Sequence, residues 1–396
     1  MKIVILTKRT LAHGFGGVEG YVHHVARAAA ALGHDIVVLA SAHPKGAPAD
    51  ARDGYRVEYL RGTAPGVYSD AFWSASAAAV ARHSPYDLLY STNLAGYGAA
   101  MAGVPRPHVA WSTGRTLTHL KSEWHDRTGV RGLAGYPKAA LALVYYAALE
   151  RRLYRRLDAI IAEDDRTYEA LRRRGWPVHL VHTGVDTARF RPDPALRRES
   201  RAALGIPGDA DVLLMAAAVN RQKGIDLGVD VFRRLGVSRP GLHLLVVGDG
   251  PERRRLEAIA RAGDLGARVR FPGVVPDAAM ARYHAAADVL LYPTRRAEGV
   301  PRAILEAMAS GLVVVATDRG GVRTAVADGD TGVLLPRPSV DLLATAVAGL
   351  LDHPARRLAL GARATAVARE QFDLLTSVAA LLDEVDAKRS LARGRA

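Results

Sequence analysis

Short apolar runs rich in β-branched residues alternate along this chain with longer segments that repeat with a helical period. Runs with hardly a polar residue are typical of strands buried on both faces, as in a parallel sheet covered by helices. The alternation occurs twice, once in each half of the chain. It predicts strands at 2–7, 35–40, 57–60, 87–92, 108–111 and 159–162 in the first half, and at 212–217, 242–247, 269–271, 289–292, 313–316 and 333–335 in the second.

A polar, turn-rich passage separates the two halves. Thr183 to Asp186 and Arg191 to Pro194 hold the glycine, proline and aspartate residues that favour turns. The pattern therefore predicts an α/β chain of two Rossmann-like, doubly wound parallel-sheet domains, 1–187 and 188–372, with a last helix at 373–390 that packs back onto the first domain. Ligands of such folds bind outside the carboxyl ends of the strands, so we expect the site in a cleft across which the two domains face each other.

Composition narrows the class of protein. The chain has 396 residues, no cysteine, and 24% charged residues that interrupt every apolar window long enough to span a bilayer. An integral membrane protein, a disulfide scaffold and a thiol nucleophile are therefore excluded. The apolar run before Lys8 and Arg9 is too short for a signal peptide, so we expect a cytoplasmic protein.

Of the net charge of +14, about +6 lies between Arg115 and Arg156, where the sequence has nine basic and three acidic residues. A basic face suits phosphate recognition, and the arginine excess fits a genome-wide composition bias equally well. Segment 139–156 joins an apolar body to four arginines, which is typical of an interfacial helix at a membrane and also of a core helix with a charged end. No basic motif is interleaved with aromatic residues, so we expect no nucleic-acid partner.

Glycine-rich loops follow predicted strands in both halves. Gly16 and Gly17 precede a helix, where backbone N–H groups can approach an anion, and a purely structural turn is the alternative. The spacing is not GxGxxG, which argues against a dinucleotide-dependent dehydrogenase. In the second half, one loop carries Lys223 beside a glycine and suits a diphosphate as well as it suits an ordinary solvated loop. The turn from Gly248 to Gly250 is more typical of architecture than of catalysis.

The most informative stretch is 298–311, which follows the strand at 289–292. Glu298 lies on the loop, and Glu306 lies eight positions later, about one and a half turns inside a helix that starts near Pro301. The N–H groups of Arg302 and Ala303 can meet a phosphate. Because carboxylates accept hydrogen bonds from vicinal diols, the arrangement predicts an anion nest with a carboxylate on either side. Taken alone, the spacing also fits an exposed helix with two solvated glutamates.

The ordered series of motifs resembles glycosyltransferase family 4, whose members are retaining nucleotide-sugar enzymes of the GT-B type. The series is GGVEGY at 16–21, TGVD at 183–186, NRQKG at 220–224, GDGPE at 248–252, FPGVV at 271–275, EGVPRAILEAMASG at 298–311, GG at 320–321 and DGDTG at 328–332. It covers nearly the whole chain and is more specific in the second half. The resemblance implies transfer of a sugar from a nucleoside diphosphate sugar to an acceptor hydroxyl, with front-face attack, no cofactor and no obligatory metal. The implied acceptor is a sugar, a lipid-linked compound or a small molecule, and peripheral contact with the inner face of a membrane is an accompanying expectation.

The resemblance also implies roles for individual residues. Glu306 resembles the carboxylate that holds the donor ribose, and Glu298 the one that contacts the donor sugar. Lys223 resembles the diphosphate-binding lysine, and it is the strongest catalytic candidate because charge grows on the phosphate oxygens as the glycosidic bond breaks. The turn at 271–275 lies where the base docks. The expected donor-binding set is Gly16, Gly17, Arg221, Lys223, Gly250, Gly273, Val274, Glu298, Gly299, Val300, Arg302, Ala303 and Glu306, with Lys223 and Glu298 catalytic and no metal ligand.

Two departures from the family pattern stand out. Members usually carry an arginine five residues before the lysine, where this chain has Ala218, and a His-Gly pair where it has Thr113-Gly114. Arg221 is a candidate for the missing cation, whereas His119 is more typical of a surface residue than of a replacement. The departures leave open a nucleotide-sugar-binding or regulatory protein with a degenerate site. The fold is also compatible with a sugar-nucleotide epimerase or a phosphorylase.

Overall fold

The computed structural model describes residues 1–14, 16–112 and 136–393. Contacts divide the chain into an N-terminal unit, Met1–Gly184 with Leu374–Ala396, and a C-terminal unit, Val185–Asp373. This division falls before the boundary expected after residue 187. The reason is local pairing: Val185 forms a bridge with Asp373, and its N–H donates to Phe372 O at 2.8 Å, so the chain already belongs to the C-terminal unit at that point.

Two sheets form the centres of the two units. In the N-terminal unit the strands are β1 (Lys2–Leu6), β2 (Asp35–Ser41), β3 (Ala49–Arg52), β4 (Tyr55–Leu60), β5 (Leu88–Thr92), β6 (His108–Ser112), β7 (Ala159–Ala162) and β8 (Val178–Leu180). In the C-terminal unit they are β9 (Asp211–Ala216), β10 (Leu242–Val247), β11 (Val269–Gly273), β12 (Val289–Tyr292), β13 (Val313–Thr317) and β14 (Gly332–Leu335).

The strand order makes both sheets doubly wound. The orders are β3-β4-β2-β1-β5-β6-β7-β8 and β11-β10-β9-β12-β13-β14, and every pair is parallel except β3 with β4. In each sheet the winding direction reverses at one point, between β1 and β5 and between β9 and β12. Loops that leave the carboxyl ends of strands at such a reversal form the binding site in open α/β sheets. The predicted fold class is confirmed.

Helices cover both faces of each sheet. They are α1 (Gly17–Ala31), α2 (Asp70–Arg82), α3 (Tyr97–Met101), α4 (Tyr136–Tyr154), α5 (Asp165–Arg172), α6 (Pro194–Leu204), α7 (Ile225–Gly236), α8 (Arg253–Ala260), α9 (Met280–Ala286), α10 (Arg302–Ala309), α11 (Val322–Ala325), α12 (Val340–Asp352), α13 (Pro354–Gln371) and α14 (Leu374–Arg393). Successive residues of β12 belong to two different apolar clusters. Leu290 and Tyr292 are buried in one cluster, and Val289 and Leu291 are buried in the other. Side chains that alternate between two cores are the pattern of a strand buried on both faces.

Helix α14 returns to the N-terminal unit after the chain has built the C-terminal one. Its Val378, Leu381 and Val385 are buried in the same cluster as Tyr21 and Val25 of α1. No helix in the described ranges combines the length and the apolar character that crossing a membrane requires.

Buried histidines make the stability of this fold depend on pH. Burial, and next the positive charge of Arg106, lower the pKa of His108 to about 3. The unfolded histidine, with a pKa of about 6.5, takes up a proton that the folded one does not, so the free energy of unfolding falls as the pH drops below 6.5. We expect His108→Gln to reduce the loss of stability between pH 7.5 and pH 5.5 by about 1.4 kcal/mol, measured by urea denaturation. The same change at the exposed His353 is the matched control.

Candidate active site

Two loops meet at the reversal point of the C-terminal sheet. One follows β9 and contains Lys223, and the other follows β12 and contains Glu298. Asn220 caps the first loop by accepting the N–H of Lys223 on its side-chain oxygen at 3.0 Å. Gly224 has a φ of +70°, and a Cβ there would lie 2.1 Å from Pro293 O. Glycine at this position is what lets the two loops pack against each other.

Gly224→Ala should therefore separate the loops. Strain from the positive φ alone costs about 1–3 kcal/mol, and the collision with Pro293 O adds to it. We expect a lower melting temperature and weaker ligand binding. Gly208→Ala is the matched control, because no atom lies within 4 Å of a Cβ there, and a similar loss in both variants would contradict this account.

Lys223 and Glu298 form an ion pair inside the C-terminal unit. Tyr292 joins them: its hydroxyl accepts a hydrogen bond from Lys223 Nζ at 3.1 Å and donates to Glu298 Oε2 at 3.1 Å. Thr294 Oγ1 donates to the other carboxylate oxygen at 2.9 Å. The lysine and the glutamate are mostly buried, with 20% and 14% of their side chains exposed. Burial and these hydrogen bonds hold the pair in a fixed geometry at the carboxyl ends of β9 and β12.

The environment keeps both partners charged. Burial acts to lower the pKa of Lys223, but Tyr292 and Glu298 outweigh it and raise that pKa above its ordinary value. Burial acts to raise the pKa of Glu298, and the charge of Lys223 together with the hydrogen bonds from Lys223 and Thr294 outweighs it and lowers that pKa. Burial, and next the charge of Glu298, raise the pKa of Tyr292, which therefore stays a neutral hydroxyl.

A second ion pair, between Arg295 and Asp226, joins the same two loops. Arg295 binds Asp226 in a bidentate manner, with both nitrogen–oxygen distances at 2.7 Å. Arg295 also donates from its backbone N–H to Gln222 O at 2.8 Å. Such planar, two-point pairing fixes direction as well as distance. This pairing gives Asp226 a structural role.

Glu306 belongs to a different network, on helix α10. The helix follows Pro301, and its Ile304, Leu305 and Met308 are fully buried. Glu306 is itself buried, and Arg302 donates to its Oε1 at 2.8 Å.

Neighbouring charges complete this network. Arg302 also donates to Asp277 at 3.1 Å, and Asp277 accepts from Arg189 at 2.6 Å. On the far side of Glu306, His284 Nε2 lies 3.8 Å from Oε2 without a hydrogen bond, while its Nδ1 lies 3.1 Å from Met280 O. Burial lowers the pKa of His284, so a neutral ring faces the carboxylate.

The two glutamates therefore stand in separate polar networks. The sequence predicted one anion nest flanked by two carboxylates, and the structure gives each carboxylate its own cation, Lys223 for Glu298 and Arg302 for Glu306. Between them lie Gly299 and Val300, both buried. The first hydrogen bond of α10 runs from Ile304 N to Pro301 O, which puts the amides of Arg302 and Ala303 ahead of it at the helix start.

The remaining glycines of the predicted set are explained by close packing. A Cβ at Gly250 would lie 2.4 Å from Val219 O, which supports the architectural interpretation of this turn. At Gly273, with φ +83°, a Cβ would lie 2.7 Å from the guanidinium of Arg253. The next residue, Val274, is 54% exposed and open to a ligand.

In the N-terminal unit, Gly16 and Gly17 stand at the start of α1. A Cβ at Gly16 would lie 2.3 Å from Glu19 Oε2, whereas one at Gly17 would meet nothing within 4 Å. The Glu19 carboxylate is buried, and Arg9 lies 2.8 Å from it. Packing against Glu19 is therefore sufficient to explain the first glycine, and Gly17 is the one with open space.

The positions that depart from the family pattern, and their candidate replacements, lie in two parts of the chain. Ala218 and Arg221 are exposed on the loop after β9. Thr113, Gly114 and His119 lie outside the described residues. Within the ranges that the structure describes, no group of three or more histidine, aspartate or glutamate side chains is arranged to hold a metal ion. Sequence reasoning missed Tyr292 and Thr294, although both flank Pro293 at the end of a strand at the reversal point, which is a signal that could have identified them.

Comparisons with known proteins agree with this fold and with these motifs. Residues 197–367 match the family model described as "Glycosyl transferases group 1", and residues 15–189 match "Glycosyltransferase Family 4". A D-inositol 3-phosphate glycosyltransferase of Catenulispora acidiphila is 31% identical over 376 residues, which cover 88% of this chain and 85% of the relative.

A second relative matches over about half of its length, and a solved structure shares the fold. A GDP-mannose-dependent phosphatidylinositol monomannoside mannosyltransferase of Mycolicibacterium smegmatis is 33% identical over 52% of this chain, and the match spans only 55% of that relative. The solved structure of sucrose-phosphate synthase from Thermosynechococcus elongatus superimposes with a TM-score of 0.78 over all of both chains at 22% identity, which shows a shared fold. With its two doubly wound units, its two family-model matches and a relative 31% identical over 88% of its length, the chain belongs to glycosyltransferase family 4 and has the GT-B fold.

Proposed function

We propose that this glycosyltransferase moves a sugar from a nucleoside diphosphate sugar to an acceptor hydroxyl with retention at the anomeric carbon. The observation that carries the proposal is the Lys223–Tyr292–Glu298 cluster at the reversal point of the C-terminal sheet. A fixed ammonium there can stabilise the charge that develops on the leaving diphosphate, and Glu298 can accept hydrogen bonds from the donor sugar. Glu306 and Val274 are proposed to bind the ribose and the base.

The chemistry proposed needs no cofactor and no metal. Lys223, the amides at the start of α10 and nearby arginines would supply the positive potential that a divalent cation provides in other transferases. The relatives named above act on GDP-mannose and on inositol 3-phosphate. These names make a sugar nucleotide the donor to test first, and a polyol or lipid-linked polyol the acceptor.

A thermal-shift screen with UDP, GDP, ADP, TDP and CDP tests the site and selects the base. We expect one nucleotide to raise the melting temperature, and EDTA to leave the shift unchanged. The corresponding sugar nucleotide should then release nucleoside diphosphate in the presence of an acceptor, with the retained anomer visible by NMR. A nucleotide that binds while its sugar nucleotide releases no nucleoside diphosphate would favour a regulatory protein. Product formed without an acceptor would favour an epimerase. A reaction that requires inorganic phosphate would favour a phosphorylase.

A stripe on helix α4 supports a peripheral role at an anionic membrane. Leu141 and Val144 are 71% and 66% exposed, and Tyr145 beside them is 49% exposed. Exposed Arg151 and Arg152 continue the stripe toward the end of the helix. Apolar side chains followed by arginines on one exposed face suit insertion between lipid headgroups with electrostatic attraction to anionic lipid. We propose a cytoplasmic enzyme that works at the inner face of the membrane.

Sedimentation with liposomes tests this contact. We expect binding to anionic vesicles at low salt, weaker binding at high salt, and a loss in the Leu141→Gln/Val144→Gln variant. Val237→Gln is the matched control, since Val237 is 83% exposed in the C-terminal unit. Equal binding to zwitterionic and anionic vesicles, or the same loss in the control, would contradict the proposal.

A further inference from the structure

We propose that Arg296 is the second cation of the diphosphate site, taking the place of the arginine that Ala218 replaces. The inference rests on the proposed function and assigns one more binding residue to the same site. Two observations support it: Glu298 already neutralises the charge of Lys223, and the loop after β12 places Arg295 and Arg296 in different surroundings.

The diphosphate needs more positive charge than Lys223 supplies. Lys223 is paired with Glu298, so the mostly buried cluster is close to neutral before a ligand enters. A diphosphate brings at least two negative charges, and charge that leaves water at a partly buried site requires compensation. Ala218, on the loop after β9, offers no positive charge.

Arg295 and Arg296 have different positions on the same loop. Arg295 is turned to Asp226 and holds the two loops together. Arg296 N donates to Thr294 Oγ1 at 3.2 Å, the same hydroxyl that donates to Glu298. Arg296 NH1 lies 3.5 Å from the amide oxygen of Gln222, the residue next to Lys223. The backbone of Arg296 is thus fixed through Thr294 next to Glu298, its guanidinium lies near Gln222, and its charge contributes to the lowered pKa of Glu298.

Arg221 was the candidate that the sequence alone offered for this role. In the structure, it is the backbone of Arg221 that contacts the second loop: Arg221 O accepts a hydrogen bond from Arg295 NH1 at 2.6 Å. The side chain of Arg221 is exposed. An exposed side chain gains less from binding an anion than one placed in a partly buried site does. The geometry therefore favours Arg296.

Binding of a nucleoside, its monophosphate and its diphosphate to the full chain tests the assignment. The base is the one selected by the thermal-shift screen. We expect Arg296→Gln to weaken diphosphate binding by about ten- to a hundredfold and to leave nucleoside binding unchanged. Arg296→Lys should recover part of the loss. Unchanged nucleoside affinity also shows that the variant is folded.

Arg221→Gln is the matched control and should change each affinity by less than about twofold. Unchanged diphosphate affinity in Arg296→Gln, or a loss in Arg221→Gln instead, would overturn the inference and leave the proposed function standing. Wild-type protein that binds no nucleoside diphosphate at all would overturn both.

Discussion

We expect Lys223→Ala to lower the rate of the proposed sugar transfer at saturating donor by about a hundred- to a thousandfold. The ammonium is held by Tyr292 and Glu298 at the reversal point of the sheet, so it costs little reorganisation when charge grows on the diphosphate. A preorganised donor of this kind acts mainly on the transition state. The expected result is a large fall in kcat with a smaller change in the KM of the donor, measured by release of nucleoside diphosphate. Turnover at the wild-type rate would contradict the role of Lys223.

Stability must be separated from chemistry in that experiment. Removing Lys223 leaves the Glu298 carboxylate mostly buried without its ion-pair partner, which we expect to cost the C-terminal unit about 3 kcal/mol. The Lys223→Ala/Glu298→Gln double variant removes the stranded charge. It should regain most of the stability and none of the activity, as followed by urea denaturation beside the rate assay. A double variant as unstable as the single one would show that the pair is not the source of the loss.

The fold could be predicted because its strands are nearly uninterrupted apolar runs. The runs at 159–162, 242–247 and 289–292 coincide with β7, β10 and β12. Strand β3 was missed because Ala49–Arg52 is polar and pairs antiparallel at an edge, where no buried face imposes an apolar pattern. Strand β8 was missed because it has only three residues and lies at the other edge of the sheet, where its side chains are only partly buried.

The candidate site could be predicted only as far as chain order determines it. Motifs after β9 and β12 indicate the two loops, since both follow strands at the reversal point. What chain order does not contain is the choice of partner for each charge. Lys223 pairs with a residue 75 positions away, and Asp226 pairs with Arg295 across 69 positions. Tyr292 fits the apolar pattern of a strand through its ring, so the pattern did not mark it as a site residue. Its hydroxyl nevertheless forms hydrogen bonds with both Lys223 and Glu298.

Glu306→Gln should raise the KM of the donor by about ten- to a hundredfold with a smaller change in kcat, because the loss of a charge-assisted hydrogen bond is felt in the ground state and the transition state alike. Because Arg302 donates to Oε1 of Glu306, we expect a ribose hydroxyl to donate to Oε2. Wild-type protein should therefore bind the ribonucleoside diphosphate more tightly than its 2′-deoxy or 3′-deoxy form, and the variant should lose this preference. Asp277→Asn removes the other carboxylate partner of Arg302 and should keep the preference, as measured by calorimetry. If both variants lose it equally, Glu306 acts only by holding Arg302 in place, and the ribose is bound elsewhere.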